Sequence, residues 1–219
     1  MSLTLHFHPL SSYCQKVLIA LYENGTPFEK QIVNLGDPDS AAAFRKLWPV
    51  GKMPGLHDST GDRAIPESSI IIEYLQQHYP GGTALIPAEP AAALHARLAD
   101  RFYDLYVHDP MQRIVGDRLR PADKRDAYGV AENKAQLRIA LDVFEKHMAG
   151  RTFVSGDAFT LADCSAAPAL FYANKVLPFE ASHPSIAAYL KRLSERPSFA
   201  RVLREAEPFF QYFPKEDAA

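Results

Sequence analysis

The chain has 219 residues, enough for one large or two small domains at roughly 150 residues per domain. Hydrophobic residues make up 47% and charged residues 23%, ordinary globular values that exclude a mainly disordered chain. A formal net charge of −2 argues against a general nucleic-acid or anionic-membrane binder, and no apolar run approaches the ~18 residues needed to cross a bilayer, since Pro168 interrupts one of the longest, 166–173.

Along the chain, Leu3, Leu5 and Phe7 alternate with polar positions as a strand does. Residues 11–24 then carry Val17, Leu18, Leu21 and Tyr22 on a helical face, with Gly25 where a helix-ending glycine belongs. Residues 28–33 read as a second strand and 37–47 as a short helix. Trp48-Pro49 ends that helix because the residue before proline is pushed out of the α region. Residues 55–57 and 63–65 flank a polar turn and form a hairpin. Residues 67–79 make a helix with Ile71, Tyr74 and Leu75 facing inward.

Between Tyr79 and Pro90 lies linker punctuation: Pro80, Gly81, Gly82 and Pro87. Strand signals end there. Helical spacing recurs over 91–115, 121–148, 160–176, 183–194 and 197–206. The expectation is an α/β domain over 1–80, a linker over 81–90 and an all-α domain over 91–219.

Four local features bear on chemistry. The first is Leu10-Ser11-Ser12-Tyr13-Cys14, at the start of the first helix, whose free N–H groups favour an anion or thiolate. Ser12-x-x-Gln15 reads as a capping box, which commits Ser12 to the backbone and leaves Ser11 free just outside. Cys14 is either a low-pKa thiol or, on the preferred reading, a packing residue. The second is Trp48-Pro49-Val50-Gly51-Lys52-Met53-Pro54-Gly55-Leu56. With a cis Met53–Pro54 bond, the Met53 backbone could pair with an extended ligand as a strand would. The third is Pro66-Glu67-Ser68-Ser69, where Glu67 and Ser68 either cap a helix or hold the charged end of a ligand. The fourth, Thr160-Leu161-Ala162-Asp163, is a structural capping box with Phe159 and Cys164 as a hydrophobic staple.

His6 and His8 share one strand face, but no third ligand stands at a matching spacing, so no metal site is expected. Glycine-rich phosphate loops, HExxH and GxSxG are absent from the sequence. No basic residue precedes Lys16, so the N-terminus does not read as a secretory signal. Two cysteines fit a reduced, cytoplasmic chain better than a disulfide scaffold.

In order and spacing, SSYCQKV, WPVGKMPGL, PESSIIIEYL and FTLADCSAAPAL resemble the glutathione S-transferase superfamily over nearly the whole chain. The first stretch is similar to both the Ser-Ser-x-Cys form of delta-like and the Ser-Ser-Cys-Ser form of zeta-like enzymes, in a bacterial-like, serine-type setting. The resemblance implies a thioredoxin-like glutathione-binding domain followed by a helical domain, usually as a homodimer. It implies that Ser11 activates the thiol of glutathione and that Lys52 reaches the glycine carboxylate. Met53 and Pro54 would bind the cysteinyl backbone, and Glu67 and Ser68 the γ-glutamyl end; Asp163 is the helix-capping, folding aspartate. The acceptor pocket is expected to draw on Leu10, Tyr106 and Met111, with the aromatic stretch 208–213 either closing over it or packing on the core. The implied activity is transfer of glutathione to small apolar electrophiles, without metal or nucleic acid. Glutathione-dependent isomerisation or dehalogenation, and a non-catalytic binding module on the same scaffold, are the alternatives.

Overall fold

A computed structural model describes residues 2–215. Strand β1 (Leu3–Phe7) buries Leu3, Leu5 and Phe7 on one face, as their alternation requires. It pairs in parallel with β2 (Glu29–Ile32) and antiparallel with β3 (Gly55–Asp58), which forms a hairpin with β4 (Arg63–Pro66). The sheet order is therefore β2-β1-β3-β4.

Helix α1 (Ser12–Glu23) crosses over between β1 and β2, and α3 (Ser68–His78) packs beside it. On the other face α2 (Pro38–Leu47) buries Ala41 and Phe44, and the Phe44 ring stacks on His6. Gly55 has to be glycine there, because a Cβ would stand 3.1 Å from the Phe44 ring. Met53–Pro54 is a cis peptide.

The helical half contains α4 (Pro90–Phe102), α5 (Asp109–Arg118), α6 (Ala127–Met148), α7 (Leu161–Val176), α8 (Pro184–Glu195) and α9 (Pro197–Ala206). The expected helix over 91–115 is not uniform. A π-helical turn, Tyr103–His108, separates α4 from α5. Pro110 supplies the reason, for it has no N–H to donate and crowds the carbonyl of the preceding turn. The helix expected from 121 begins at 127, where Asp126 accepts the Gly129 N–H at 2.8 Å, and residues 122–124 form a separate 3₁₀ turn.

Helix α7 is almost wholly buried and packs on α1, α4 and the π-helical turn, so it is the shared core of the two halves. Its start is closed as expected. The Asp163 carboxylate accepts from the Thr160 N–H at 2.8 Å, the Val154 N–H at 3.0 Å and the Tyr189 hydroxyl at 2.5 Å. Phe159 and Cys164 are both buried beside that cap.

Candidate active site

The sheet and α1 converge on one cavity of about 390 Å³, lined by His8, Leu10, Ser11, Ser12, Met53 and Met111 among others. Register explains the meeting. His6 stands opposite Gly55 in the antiparallel β1–β3 ladder, so the next residues of each strand bring His8 and Met53 to the same end of the sheet. Gly55 is in turn opposite Pro66, which sets Met53–Pro54 beside the Glu67–Ser68 corner.

The cap falls one residue earlier than expected. Ser11, not Ser12, is the N-cap of α1: its backbone is extended, and its carbonyl accepts the first helical bond, from the Gln15 N–H at 2.9 Å. Its Oγ accepts the Cys14 N–H at 3.4 Å. The expected capping box fails because the Gln15 side chain points elsewhere, donating to the Pro9 carbonyl at 2.8 Å and the Tyr172 hydroxyl at 3.1 Å. Ser12 is buried in the first turn, and its Oγ accepts only a long bond from the Gln112 amide at 3.4 Å. Capping occupies a lone pair of Ser11 but not its hydrogen, and the only group beside that hydrogen among the described residues is the Cys14 sulfur, a weak acceptor. Cys14 is fully buried, and burial pushes its thiol up to about 11 despite the Ser11 hydroxyl and the His8 backbone, both of which favour the thiolate. It stays a packing thiol at neutral pH.

Met53 is half-buried, and neither its N–H nor its C=O bonds to another described residue. Lys52 is exposed beside it and Pro54 is buried under it. Glu67 has φ +67°, left-handed backbone that a glutamate rarely adopts, and its side chain makes no capping bond. Ser68 is buried at the start of α3. Ser11, Leu10, Met53 and Met111 thus line one cavity; Lys52, Pro54, Glu67 and Ser68 are not among its lining residues, and strand register sets Pro54 next to the corner that begins α3.

Tyr106 does not line the cavity. Tyr106 and Met111 are five residues apart, about 140° around a regular helix, and the π-helical turn intervenes. The Tyr106 ring lies instead against Phe102 on an exposed face. The C-terminal aromatics divide between the two roles left open for them. Tyr212, Phe213 and Pro214 line the cavity, whereas Phe210 packs on Phe171 and Tyr172.

Sequence reading missed a buried polar cluster behind the site. Lys16 of α1, fully buried, lies 2.5 Å from Asp100 and 3.2 Å from Asp104, and donates to the Ser69 Oγ at 2.8 Å. Ser69 donates to Asp100 at 2.7 Å. Burial works against the charge of Asp104, but the His108 ring and the Lys16 ammonium outweigh it and hold the carboxyl down at about 2. His108 stands 3.4 Å from Asp104, and its own burial lowers the ring's pKa against the pull of that carboxylate. Lys16 is more than eighty residues from either carboxylate, so no local pattern could have announced the cluster.

Comparison with known proteins fits this geometry. The family profile "Glutathione S-transferase, N-terminal domain" matches residues 5–83, and "Glutathione S-transferase, C-terminal domain" matches 102–197. Glutathione S-transferase 3 of Zea mays is 34% identical over 214 residues, covering 92% of this chain and 93% of that protein. A glutathione S-transferase of Pseudomonas putida is 28% identical over 216 residues, covering 94% of this chain and 93% of its own. Among solved structures, a Methylobacterium radiotolerans glutathione S-transferase in complex with glutathione sulfonate superposes with a TM-score of 0.82 at 27% identity, covering 100% of this chain and 98% of the other. With both halves matched in this order on this fold, the chain belongs to the glutathione S-transferase family and is a glutathione S-transferase enzyme.

Proposed function

We propose that the chain binds glutathione along the β3 end of the sheet and activates its thiol at Ser11 for attack on small apolar electrophiles. The observation that carries this reading is the Ser11 hydroxyl. It is fixed by the Cys14 N–H at the start of α1, its hydrogen is committed to no oxygen or nitrogen of the described residues, and it lines the same cavity as Met53. A hydroxyl donor and a helix N-terminus both favour a thiolate over a thiol, whose ordinary pKa of ~8.5 leaves little anion at neutral pH.

In this reading the unpaired Met53 backbone takes the cysteinyl segment of glutathione as a strand would. Exposed Lys52 meets the glycine carboxylate, Pro54 shapes the corner, and Glu67 with Ser68 holds the γ-glutamyl end. Leu10, Met111 and the C-terminal Tyr212–Phe213 wall receive the acceptor. Ser11 and Met53 line one cavity, and strand register sets Pro54 beside the Glu67–Ser68 corner, which supports the assignment.

The working unit in this reading is a cytoplasmic homodimer. Leu94 and Leu98 on α4, with Ile139 and Val143 on α6, leave apolar side chains exposed, and Leu98 and Val143 line one shallow groove. A second copy would cover that face. A Leu98→Glu variant then sediments as a monomer while its parent sediments as a dimer; a parent that is monomeric at every concentration overturns this part.

Thiol conjugation with a generic aryl halide, run beside calorimetric titration of glutathione, tests the main reading. Binding with turnover supports it. Binding without turnover on any electrophile would make the chain a binding module, and no binding would reject the site.

A further inference from the structure

His8 stands three residues before Ser11 and lines the same cavity, but the proposed thiolate chemistry gives it no task. Its carbonyl accepts the Ser11 N–H at 3.0 Å, and its ring Nδ1 faces the Leu10 N–H at 3.2 Å. An amide N–H can only donate, so Nδ1 must be the acceptor nitrogen. In a neutral imidazole the proton then sits on Nε2. Partial burial lowers the ring's pKa, which keeps it neutral at ordinary pH. The Phe209 ring packs edge-on against it, 5.6 Å between centroids, and Nε2 has no partner among the described residues. The turn therefore fixes the tautomer of a ring that lines a largely apolar cavity beside the group read as the thiol activator, and leaves its Nε2–H without a partner among the described residues.

Resting on that reading, we propose that His8 is a catalytic hydrogen-bond donor to the acceptor substrate, selecting electrophiles whose attack places negative charge on an oxygen. For an α,β-unsaturated carbonyl the step balances without a redox partner. The thiolate forms a C–S bond at the β-carbon, the C=C pair moves toward the carbonyl, and the oxygen becomes an enolate oxyanion. His8 Nε2–H donates to that oxyanion without giving up its proton. Water then protonates the α-carbon and the C=O bond re-forms. An alkyl halide of similar size, whose charge departs on the halide, gains nothing from the donor.

Two substitutions separate the ring's two nitrogens. His8→Asn keeps an acceptor near the Nδ1 position for the Leu10 N–H and loses the cavity donor. His8→Gln carries an amide N–H near the Nε2 position. Initial rates are measured on an aryl enone and on a benzyl halide of matched size, with glutathione affinity taken by calorimetry for each protein. His8→Asn is expected to lower kcat/KM on the enone about 10²-fold and to leave the benzyl halide within about threefold, with His8→Gln recovering at least about tenfold on the enone. An unchanged enone rate in His8→Asn, an equal fall on both acceptors, or no recovery in His8→Gln overturns the proposal. If glutathione binds the parent and both variants alike, such a result rejects His8 alone; a parent that binds no glutathione rejects the site reading as well.

Discussion

The Ser11 hydroxyl is the acceptor that closes α1 and, in the proposed function, also the donor toward glutathione, and substitutions can test the two roles. Ser11→Ala removes both: it should cost about 1 kcal/mol of stability as a lost cap, and Ser11→Gly only a few tenths. Both should raise the pKa of bound glutathione and lower turnover ~10²-fold, because neither retains the donor. Thermal melts and ultraviolet titration of the thiolate give the two readouts separately. A low-pKa thiolate that survives in both variants removes Ser11 from the mechanism. Glu67 invites the same dissection, since its φ of +67° is strained for any residue with a Cβ. Glu67→Ala and Glu67→Gly should lose glutathione affinity alike, yet the glycine variant should be the more stable of the two by roughly 1 kcal/mol, because only glycine adopts that backbone without steric cost. Equal melting temperatures would show that the corner carries no strain.

Asp163 shows how an element's start is specified. The sequence motif makes it a helix cap, and caps are worth ~0.5–2 kcal/mol. The folded chain asks more of it, because the same buried carboxylate also accepts the Val154 N–H and the Tyr189 hydroxyl. Asp163→Ala strands these donors in the core, so its cost should reach about 3 kcal/mol or more, measured by urea denaturation. A loss near 1 kcal/mol would mean that water replaces the carboxylate. The same contrast separates what was legible in the sequence from what was not. β1, α1 and α7 were readable because alternation, helical spacing and capping are local. The break at Tyr103–His108 was not, since helical spacing survives on both sides of a π-helical turn and only Pro110 hinted at it. The Ser11/Ser12 cap slipped by one residue because Gln15 could satisfy a box in sequence but found Pro9 and Tyr172 in space. Likewise Met53, Glu67 and Ser11 converge through strand register, which motif order only implied.

At the scale of the whole molecule, the two halves are joined by charge as well as by the buried face of α7. Lys16 comes from the α/β half; Asp100 and Asp104 come from α4 and the π-helical turn of the helical half. Lys16→Met would leave Asp100 buried without its cation and Asp104 with Arg101 alone at 3.5 Å, a change that typically costs about 3–5 kcal/mol, and because the contact spans the halves it should lower one cooperative melting transition rather than split it. The cluster also sets an acid limit. Asp104 is held at about 2 when folded, below its ordinary 3.8, so its charge stabilises the fold fully above the unfolded value and progressively less as pH falls from about 4 toward 2. That difference corresponds to roughly 2 kcal/mol. Urea midpoints of the parent should therefore fall steeply across this window, whereas Asp104→Asn, which has no proton to gain there, should be less stable at pH 7 and show a shallower decline below pH 4. Parallel acid limbs in the two proteins would move the origin of acid sensitivity away from this junction, to carboxylates elsewhere such as Glu73, which Arg97 holds below its ordinary range.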